Sequence, residues 1–299
     1  MKKVLVTGGS GFIASYVIEE LVSRGYQPVL LDQYDRKEAD FPVFLGDIRD
    51  ATAVTEAMAH VDGFIHLAAV LGTQETIKNP VPAAETNVLG GLNILQAAAQ
   101  YDVPGVYIGV GNHWMNNTYS ISKTTVERFV KMFNAERGTH INVVRAMNAY
   151  GPRQKLAPPS GESKVRKITP AFVARALKNE PIEVYGDGEQ VSDMVWVGDV
   201  AKALVSALEK AEEGIVFDSA VEVGPDVHNT VNEVAQAIID ISGSSSEIVH
   251  LPMRPGEIPN STVAANTSSL SLVDMSADEL VTLEDGMAKT IEYYRKVIS

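Results

Sequence analysis

Residues 4–15 read Val-Leu-Val-Thr-Gly-Gly-Ser-Gly-Phe-Ile-Ala-Ser, and a second apolar run, Val29-Leu30-Leu31, closes on Asp32. An apolar strand thus runs into a glycine turn, and a helix starts at once. Gly8 and Gly11 let the backbone approach a pyrophosphate, and the helix N-terminus presents partial positive charge to it. Ala14 takes the place of a third glycine, where helix and strand pack closely. Asp32 sits where a carboxylate accepts hydrogen bonds from both hydroxyls of an adenosine ribose. The stretch reads as a dinucleotide site, and its carboxylate favours NAD over NADP.

Outward from this turn, the first half of the chain alternates. Strand-like runs lie at Lys3–Thr7, Pro28–Asp32, Val43–Leu45, Gly63–Leu67, Val103–Val110 and Ile141–Arg145. Helical patterns fall between them, at about Phe12–Ser23, Thr52–Ala59, Val81–Gln100 and Tyr119–Arg137. Such alternation predicts an α/β fold, a doubly wound parallel sheet of the Rossmann type covered on both faces. Right-handed crossovers bring the strands' carboxyl ends to one edge, where ligands collect.

The pattern loosens after Gly151. Helices are expected at Thr169–Lys178, Val200–Glu209, Val231–Ile241 and Leu283–Lys296, with a short strand at Ile182–Tyr185. Ile215–Ser219 reads as a strand that rejoins the sheet. Thr282 and Asp285 have capping-box spacing for the last helix. Leu156 to Ser163, rich in Pro, Ser and Gly, reads as a mobile loop. We therefore expect a Rossmann domain over 1–154 and about 195–221, and a smaller discontinuous α/β domain over 155–194 and 222–299.

Composition narrows the function classes. The chain has 299 residues and a formal net charge of -13. Nucleic-acid binders carry a basic face, so that class is set aside. With no cysteine in the chain, disulfides, thiolate catalysis and thiolate metal sites are excluded. No apolar run approaches bilayer length, and the run after Lys2-Lys3 is too short for a signal peptide. The expectation is a cytoplasmic protein without membrane contact and without a metal.

Three further segments carry chemistry. Gly46-Asp47-Ile48 follows the third strand, where Asp47 can hold an adenine amino group and Ile48 can cover the ring. His66-Leu67-Ala68-Ala69 ends the fourth strand. Leu67, Ala68 and Ala69 leave room for the middle of a dinucleotide, and His66 reads as a satisfied core histidine. In Tyr119-Ser120-Ile121-Ser122-Lys123, the Tyr and Lys share one helix face. A free phenol titrates near pH 10. A nearby ammonium together with an oxidised nicotinamide favours the phenolate, so Tyr119 reads as a general base and Lys123 as its partner.

These residues, in this order, resemble the extended short-chain dehydrogenase/reductases of the NAD-dependent nucleotide-sugar epimerase/dehydratase type. The resemblance covers nearly the whole chain. It includes Thr7-Gly8-Gly9-Ser10-Gly11-Phe12-Ile13, His66 to Ala69, Asn87 with Gly90, and Tyr119 to Lys123. It continues through Asn148-Ala149-Tyr150-Gly151-Pro152-Arg153-Gln154, Tyr185-Gly186-Asp187-Gly188, Arg254-Pro255-Gly256-Glu257 and Thr282-Leu283-Glu284-Asp285-Gly286. It implies that Phe12, Ile13 and Asn87 join the cofactor contacts, and that Asn148 and Arg254 touch a substrate diphosphate. It also implies a nucleotide-diphosphate sugar as substrate and a homodimer.

Two departures stand out. The family carries a Ser or Thr at the end of the fifth strand, whereas here the strand ends Tyr107-Ile108-Gly109-Val110-Gly111. Asn112, His113 and Thr118 are the candidates to replace it. The family's diphosphate-binding Arg is Ser192 in this chain, with Arg153, Lys155, Lys164, Arg166 and Lys167 nearby in sequence. The expected activity is C4 epimerisation through a transient 4-keto sugar. The alternatives are a dehydratase or decarboxylase using the same intermediate, and a non-catalytic dinucleotide-binding protein. Gly109 to Thr118 contains neither the Asp-Glu pair of the dehydratase branch nor the Glu of the decarboxylase branch, which favours epimerisation.

Overall fold

In the computed structural model, which describes residues 1–34 and 41–298, the apolar runs become strands of one sheet. Ser299, the end of the expected smaller domain, lies outside the described residues. The strands are β1 (Lys3–Thr7), β2 (Gln27–Asp32), β3 (Val43–Leu45), β4 (Gly63–His66), β5 (Gly105–Val110) and β6 (Ile141–Ala146). Four short strands follow: β7 (Asn148–Tyr150), β8 (Ile182–Tyr185), β9 (Val191–Ser192) and β10 (Met194–Trp196). Next come β11 (Val221–Val223), β12 (Ile248–Leu251) and β13 (Thr262–Val263). The large sheet has the order β11-β6-β5-β4-β1-β2-β3, and all its pairs are parallel. The strands β7, β8 and β9 pair in parallel with β10, β12 and β13, outside that sheet.

The helices are α1 (Phe12–Ser23), α2 (Ala51–Met58), α3 (Val81–Ala84), α4 (Gly90–Tyr101) and α5 (Thr118–Arg137). They continue with α6 (Ile168–Leu177), α7 (Val197–Glu212), α8 (Val231–Ser242) and α9 (Leu283–Ile298). Alternate residues of each strand serve opposite faces. Val4, Val6, Ile65, Val106 and Val144 pack on Val17, Leu21, Leu204 and Leu208 of α1 and α7. Leu5, Leu31, Phe64, Tyr107 and Val143 pack on Val54, Ile94, Val126, Val130 and Phe133 of α2, α4 and α5. A third core joins Phe172, Val184, Ile238 and Ile291. Val263, Leu270 and Val273 belong to the first core.

Two segments differ from the sequence expectation. Ile215–Ser219 is not a strand; Val221–Val223 joins the sheet in its place, beside β6. The Asn142 side chain captures the oxygen of Ile215 and the amide of Phe217, which pins that apolar run outside the sheet. The expected helix over Val81–Gln100 is interrupted by a π-helical turn at Glu85–Leu89. Asn87, in that turn, is 2% exposed. Such widened turns occur often at functional sites.

Helix α5 starts where it does because Asn117 caps it, its Oδ1 accepting from the Ser120 amide at 2.9 Å. A cap is worth ~1 kcal/mol, whereas each fully buried Val or Phe contributes ~1.5–3 kcal/mol. Val126, Val130 and Phe133 therefore hold the helix, and the cap fixes its first turn. Of the capping box expected before α9, the Asp285 amide donates to Thr282 Oγ1 at 3.2 Å. No helix among the described residues is long and apolar enough to cross a membrane.

Candidate active site

Strand β1 is flanked by β2 and β4, so the chain leaves the sheet in opposite directions beside it. That switch point opens a crevice at the carboxyl edge. Gly8 lines it with a φ of +69°, and a Cβ there would stand 3.0 Å from the Cα and nitrogen of Ala68. Only glycine permits both the backbone angle and this approach. Gly11 precedes α1, whose N-terminus has no side-chain cap and no acidic residue in its first turn. That donor set fits a pyrophosphate.

Asp32 ends β2 in the same crevice. Its Oδ2 accepts from the amide and hydroxyl of Ser10 at 2.9 and 2.7 Å, and its Oδ1 accepts from the Tyr34 amide at 3.1 Å. The carboxylate is thus aimed by the glycine turn itself. Asp47 accepts from Arg49 and from Gln33 Nε2, and the Arg49 hydrogen bond holds its carboxyl below the usual range. Ile48 is buried under Gly90 of α4, with 2.6 Å between its Cδ1 and the place a Cβ would take. Phe12 and Ile13 open α1 beside the turn; Ile13 packs on the first core and Phe12 sits edge-on to Tyr16.

Thr7 and His66 bolt the crevice together. Thr7 Oγ1 accepts from the amides of Leu67 and Ala68 at 3.1 Å each, and lies 2.7 Å from His66 Nδ1. With two donors already on its oxygen, Thr7 gives its own proton to Nδ1. Burial, then the nearby Lys123 charge, pushes His66 down to about 3, so the ring is neutral. His66 is a fixed core residue, as its sequence context suggested.

From that loop, contacts run to the Tyr and Lys. Asn87 Oδ1 accepts from the Val70 amide at 2.8 Å, and its Nδ2 donates to Val70 oxygen and to Ser122 Oγ. Asn87 therefore braces the loop beyond Ala69 against α5, one residue before Lys123. Lys123 is 1% exposed, and its Nζ stands 4.1 Å from the centre of the Tyr107 ring. Burial lowers Lys123 to about 7, opposed by the charge of Glu127. Burial also pushes Tyr119 up to about 12. Burial thus acts against acidifying Tyr119.

The expected substrate residues come from farther along the chain. Asn148 Nδ2 donates to Ser192 Oγ at 2.9 Å, so the residue that replaces the family's arginine is tied to the expected diphosphate contact. The Arg254 guanidinium lies 4.6 Å from the Tyr185 ring centre and pairs with Glu257. Its buried Nε has no hydrogen-bond partner among the described residues. A Cβ at Gly256 would collide with Ile77 Cδ1, so the arginine's turn packs against the segment after β4. Thr118 donates to Thr76 oxygen at 3.1 Å in that same segment, next to Tyr119. The structure thereby links the Arg254 turn to the first turn of α5.

The strand end lacking a hydroxyl is already filled. A Cβ at Gly111 would collide with Met147 Sδ, and one at Gly109 would collide with Glu127 Oε1. Of the three candidate replacements, Thr118 is bonded to Thr76 and Asn112 Nδ2 reaches Met115 Sδ at 3.6 Å. His113 Nε2 faces Arg145 Nη1 at 3.4 Å, while its buried Nδ1 is unpartnered among the described residues. Sequence reasoning missed Thr7, Ser10, Ser122, Glu127 and Arg145. Thr7 and Ser10 lie inside the quoted glycine stretch; Glu127 is readable only as the next helical turn after Lys123.

Comparison with known proteins bears on the family and the fold. A family model described as the NAD dependent epimerase/dehydratase family matches residues 4–224. A UDP-N-acetyl-alpha-D-glucosaminuronate decarboxylase of Bacillus cytotoxicus is 29% identical, covering 99% of this chain and 98% of that protein. The UDP-glucose 4-epimerase of Thermotoga maritima, solved with UDP-glucose, superposes with a TM-score of 0.87 at 27% identity, over 99% of this chain and 100% of that one. The UDP-glucose 4-epimerase of Thermus thermophilus, solved with NAD, gives a TM-score of 0.85 at 29% identity, over 98% of this chain and 99% of that one.

Proposed function

Because the chain belongs to the NAD-dependent epimerase/dehydratase family, with NAD as cofactor, we propose that it is a nucleotide-sugar epimerase inverting C4 through a transient 4-keto sugar. The observation that carries this reading is the placement of Tyr119 and Lys123. Contacts through Asn87 and Ala68 tie their helix to the pyrophosphate turn at Gly8.

Bound NAD supplies the hydride acceptor, and later donor, and a positively charged ring. Gly8, Gly11 and the start of α1 hold the pyrophosphate, and Asp32 accepts from the adenosine ribose. Asp47, Ile48, Leu67, Ala68 and Ala69 complete that side of the site. Tyr119 takes the proton of the sugar's C4 hydroxyl as hydride leaves C4. Lys123 donates to the nicotinamide ribose and offsets the phenolate charge. The 4-keto sugar then turns and is reduced from its other face, and Tyr119 returns the proton. Atoms and electrons balance within one site, with no second redox partner. Asn148 and Arg254 grip the diphosphate, the latter through a planar fork of donors. In this reading residues 1–154 and about 195–221 carry the cofactor, and 155–194 with 222–299 carry the sugar nucleotide.

A lyase outcome has in its favour the likeness, across nearly the whole chain, to decarboxylases and dehydratases of nucleotide sugars. Against it, Gly111 to Thr118 contains no carboxylate to remove a C5 proton or direct decarboxylation. Incubation with UDP-, GDP-, dTDP- and CDP-sugars, read by mass and NMR, decides. A product isobaric with its substrate and inverted at C4 supports the proposal; loss of water or carbon dioxide overturns it.

We place the enzyme in the cytoplasm and propose a homodimer through α4 and α5. Leu89, just before α4, and Ile121 and Met132 of α5 are exposed at 49%, 54% and 39%. Light scattering that returns the mass of one chain at micromolar concentration would contradict the dimer.

A further inference from the structure

Behind the catalytic face lies an ion cluster that the mechanism above does not use. Glu127 is one helical turn past Lys123, as Lys123 is one turn past Tyr119, so the three share a face of α5. The Glu127 side chain is 6% exposed and accepts from Arg145 Nη2 at 2.7 Å and from Arg145 Nε. Arg145 Nη1 also pairs with Glu222 Oε1 at 3.0 Å. Glu222 is fixed in turn: its Oε2 accepts from the Asn266 amide, and its own amide donates to Ser269 Oγ.

Two features give the cluster direction. One guanidinium is shared by two carboxylates, so the trio carries a net negative charge rather than cancelling. And β5 makes room for it. A Cβ at Gly109 would collide with Glu127 Oε1 and stand 2.9 Å from Arg145 Cγ. The carboxylate occupies the space that this glycine leaves. The Lys123 ammonium, meanwhile, lies over the Tyr107 ring, 4.1 Å from its centre.

We infer that Glu127, held by Arg145 in the space left by Gly109, is a positioning residue that keeps Lys123 in its ammonium form during catalysis. The inference rests on the reading of Lys123 as the partner of Tyr119. Burial alone favours neutral Lys123, and Glu127 is the group that opposes it. The other charged or titratable groups around Lys123 do not serve. His66 of β4 is neutral, Tyr107 of β5 is raised by burial and stays protonated, and burial raises Tyr119 of α5 as well, so that it is charged only while it acts as base. Arg145 of β6, Glu222 of β11 and His113 of the β5–α5 loop stand behind Glu127.

The test is a pH titration of NAD-loaded protein labelled with 13C at lysine Cε, read by NMR, with the Lys123 signal assigned by its loss in Lys123→Met. In Glu127→Gln the Lys123 midpoint falls by about one pH unit or more, roughly a tenfold change in its protonation equilibrium. Glu127→Asp, which keeps the charge, recovers most of that fall. A purely structural Glu127 would leave the midpoint where it is in folded Glu127→Gln, and that result, or an upward shift, overturns the inference. Should Glu127→Gln not fold, Glu222→Gln substitutes: loss of the cluster's excess charge lowers the midpoint in the same direction, and an unmoved midpoint overturns the inference. No turnover is needed for this readout. Full activity in Tyr119→Phe would remove the catalytic reading, whereas the Lys123 shift between wild type and Glu127→Gln is read without turnover, so the two failures are distinguishable.

Discussion

The hydroxyl of Thr7 and Nδ1 of His66 stand 2.7 Å apart at the floor of the crevice, and the same hydroxyl oxygen takes the amides of Leu67 and Ala68. One buried atom therefore joins the ends of β1 and β4, where the two walls of the cofactor site begin.

Thr7→Val keeps the shape and removes that atom. Two amides and a ring nitrogen lose their partner in a dry interior, where one such group costs ~1–3 kcal/mol. We expect unfolding by urea to show a loss of about 2–4 kcal/mol, less than the full sum because the loop relaxes. NAD affinity falls with it, because Ala68 backs onto Gly8. Unchanged stability and unchanged NAD affinity would show that the hydroxyl is not a bolt.

His66 also makes stability depend on pH, with a definite sign. Its folded value is about 3 against an ordinary 6.5. Between those values the unfolded chain binds a proton that the folded protein refuses, so acidification favours unfolding. Wild-type stability should fall as pH drops from 6.5 toward 3, and His66→Gln should show a shallower fall over that window. Equal slopes in urea titrations at a series of pH values would contradict this.

Asn117→Ala removes the cap of α5 two residues before Tyr119. The expected stability loss is ~1 kcal/mol. The effect on turnover should be larger than that loss implies, because fraying of the first turn moves the phenol while Lys123, a turn deeper, stays packed. Chemical denaturation and initial rates on the same preparation check the two parts separately.

Much of this was legible from local signals. The glycine turn, the apolar run before it and the helix after it set α1 at Phe12–Ser23, and Tyr119 with Lys123 fell on one face of α5 as their spacing required. The failures were long-range. Ile215–Phe217 looks more strand-like than Val-Glu-Val at 221–223, but an asparagine on β6 captures the first, while Glu222 finds Arg145 on the strand beside the second. The π turn at Glu85–Leu89 hides inside an uninterrupted helical pattern, because the extra residue leaves no mark on apolar spacing. The Glu127, Arg145 and Glu222 cluster joins three elements whose separation along the chain carries no sign of contact. Glycines at 109 and 111 read as missing chemistry, yet each leaves space that a neighbour fills.

The most direct test of the central claim, that the Tyr119 oxygen moves the sugar's hydroxyl proton, is turnover of Tyr119→Phe beside wild type on the nucleotide sugar that the product screen identifies. NAD binding is measured on the same samples. The account predicts NAD affinity close to wild type with the rate of C4 inversion reduced by orders of magnitude, since general acid–base groups contribute ~10²–10⁴-fold. Inversion at the wild-type rate by Tyr119→Phe carrying its full complement of NAD would contradict it.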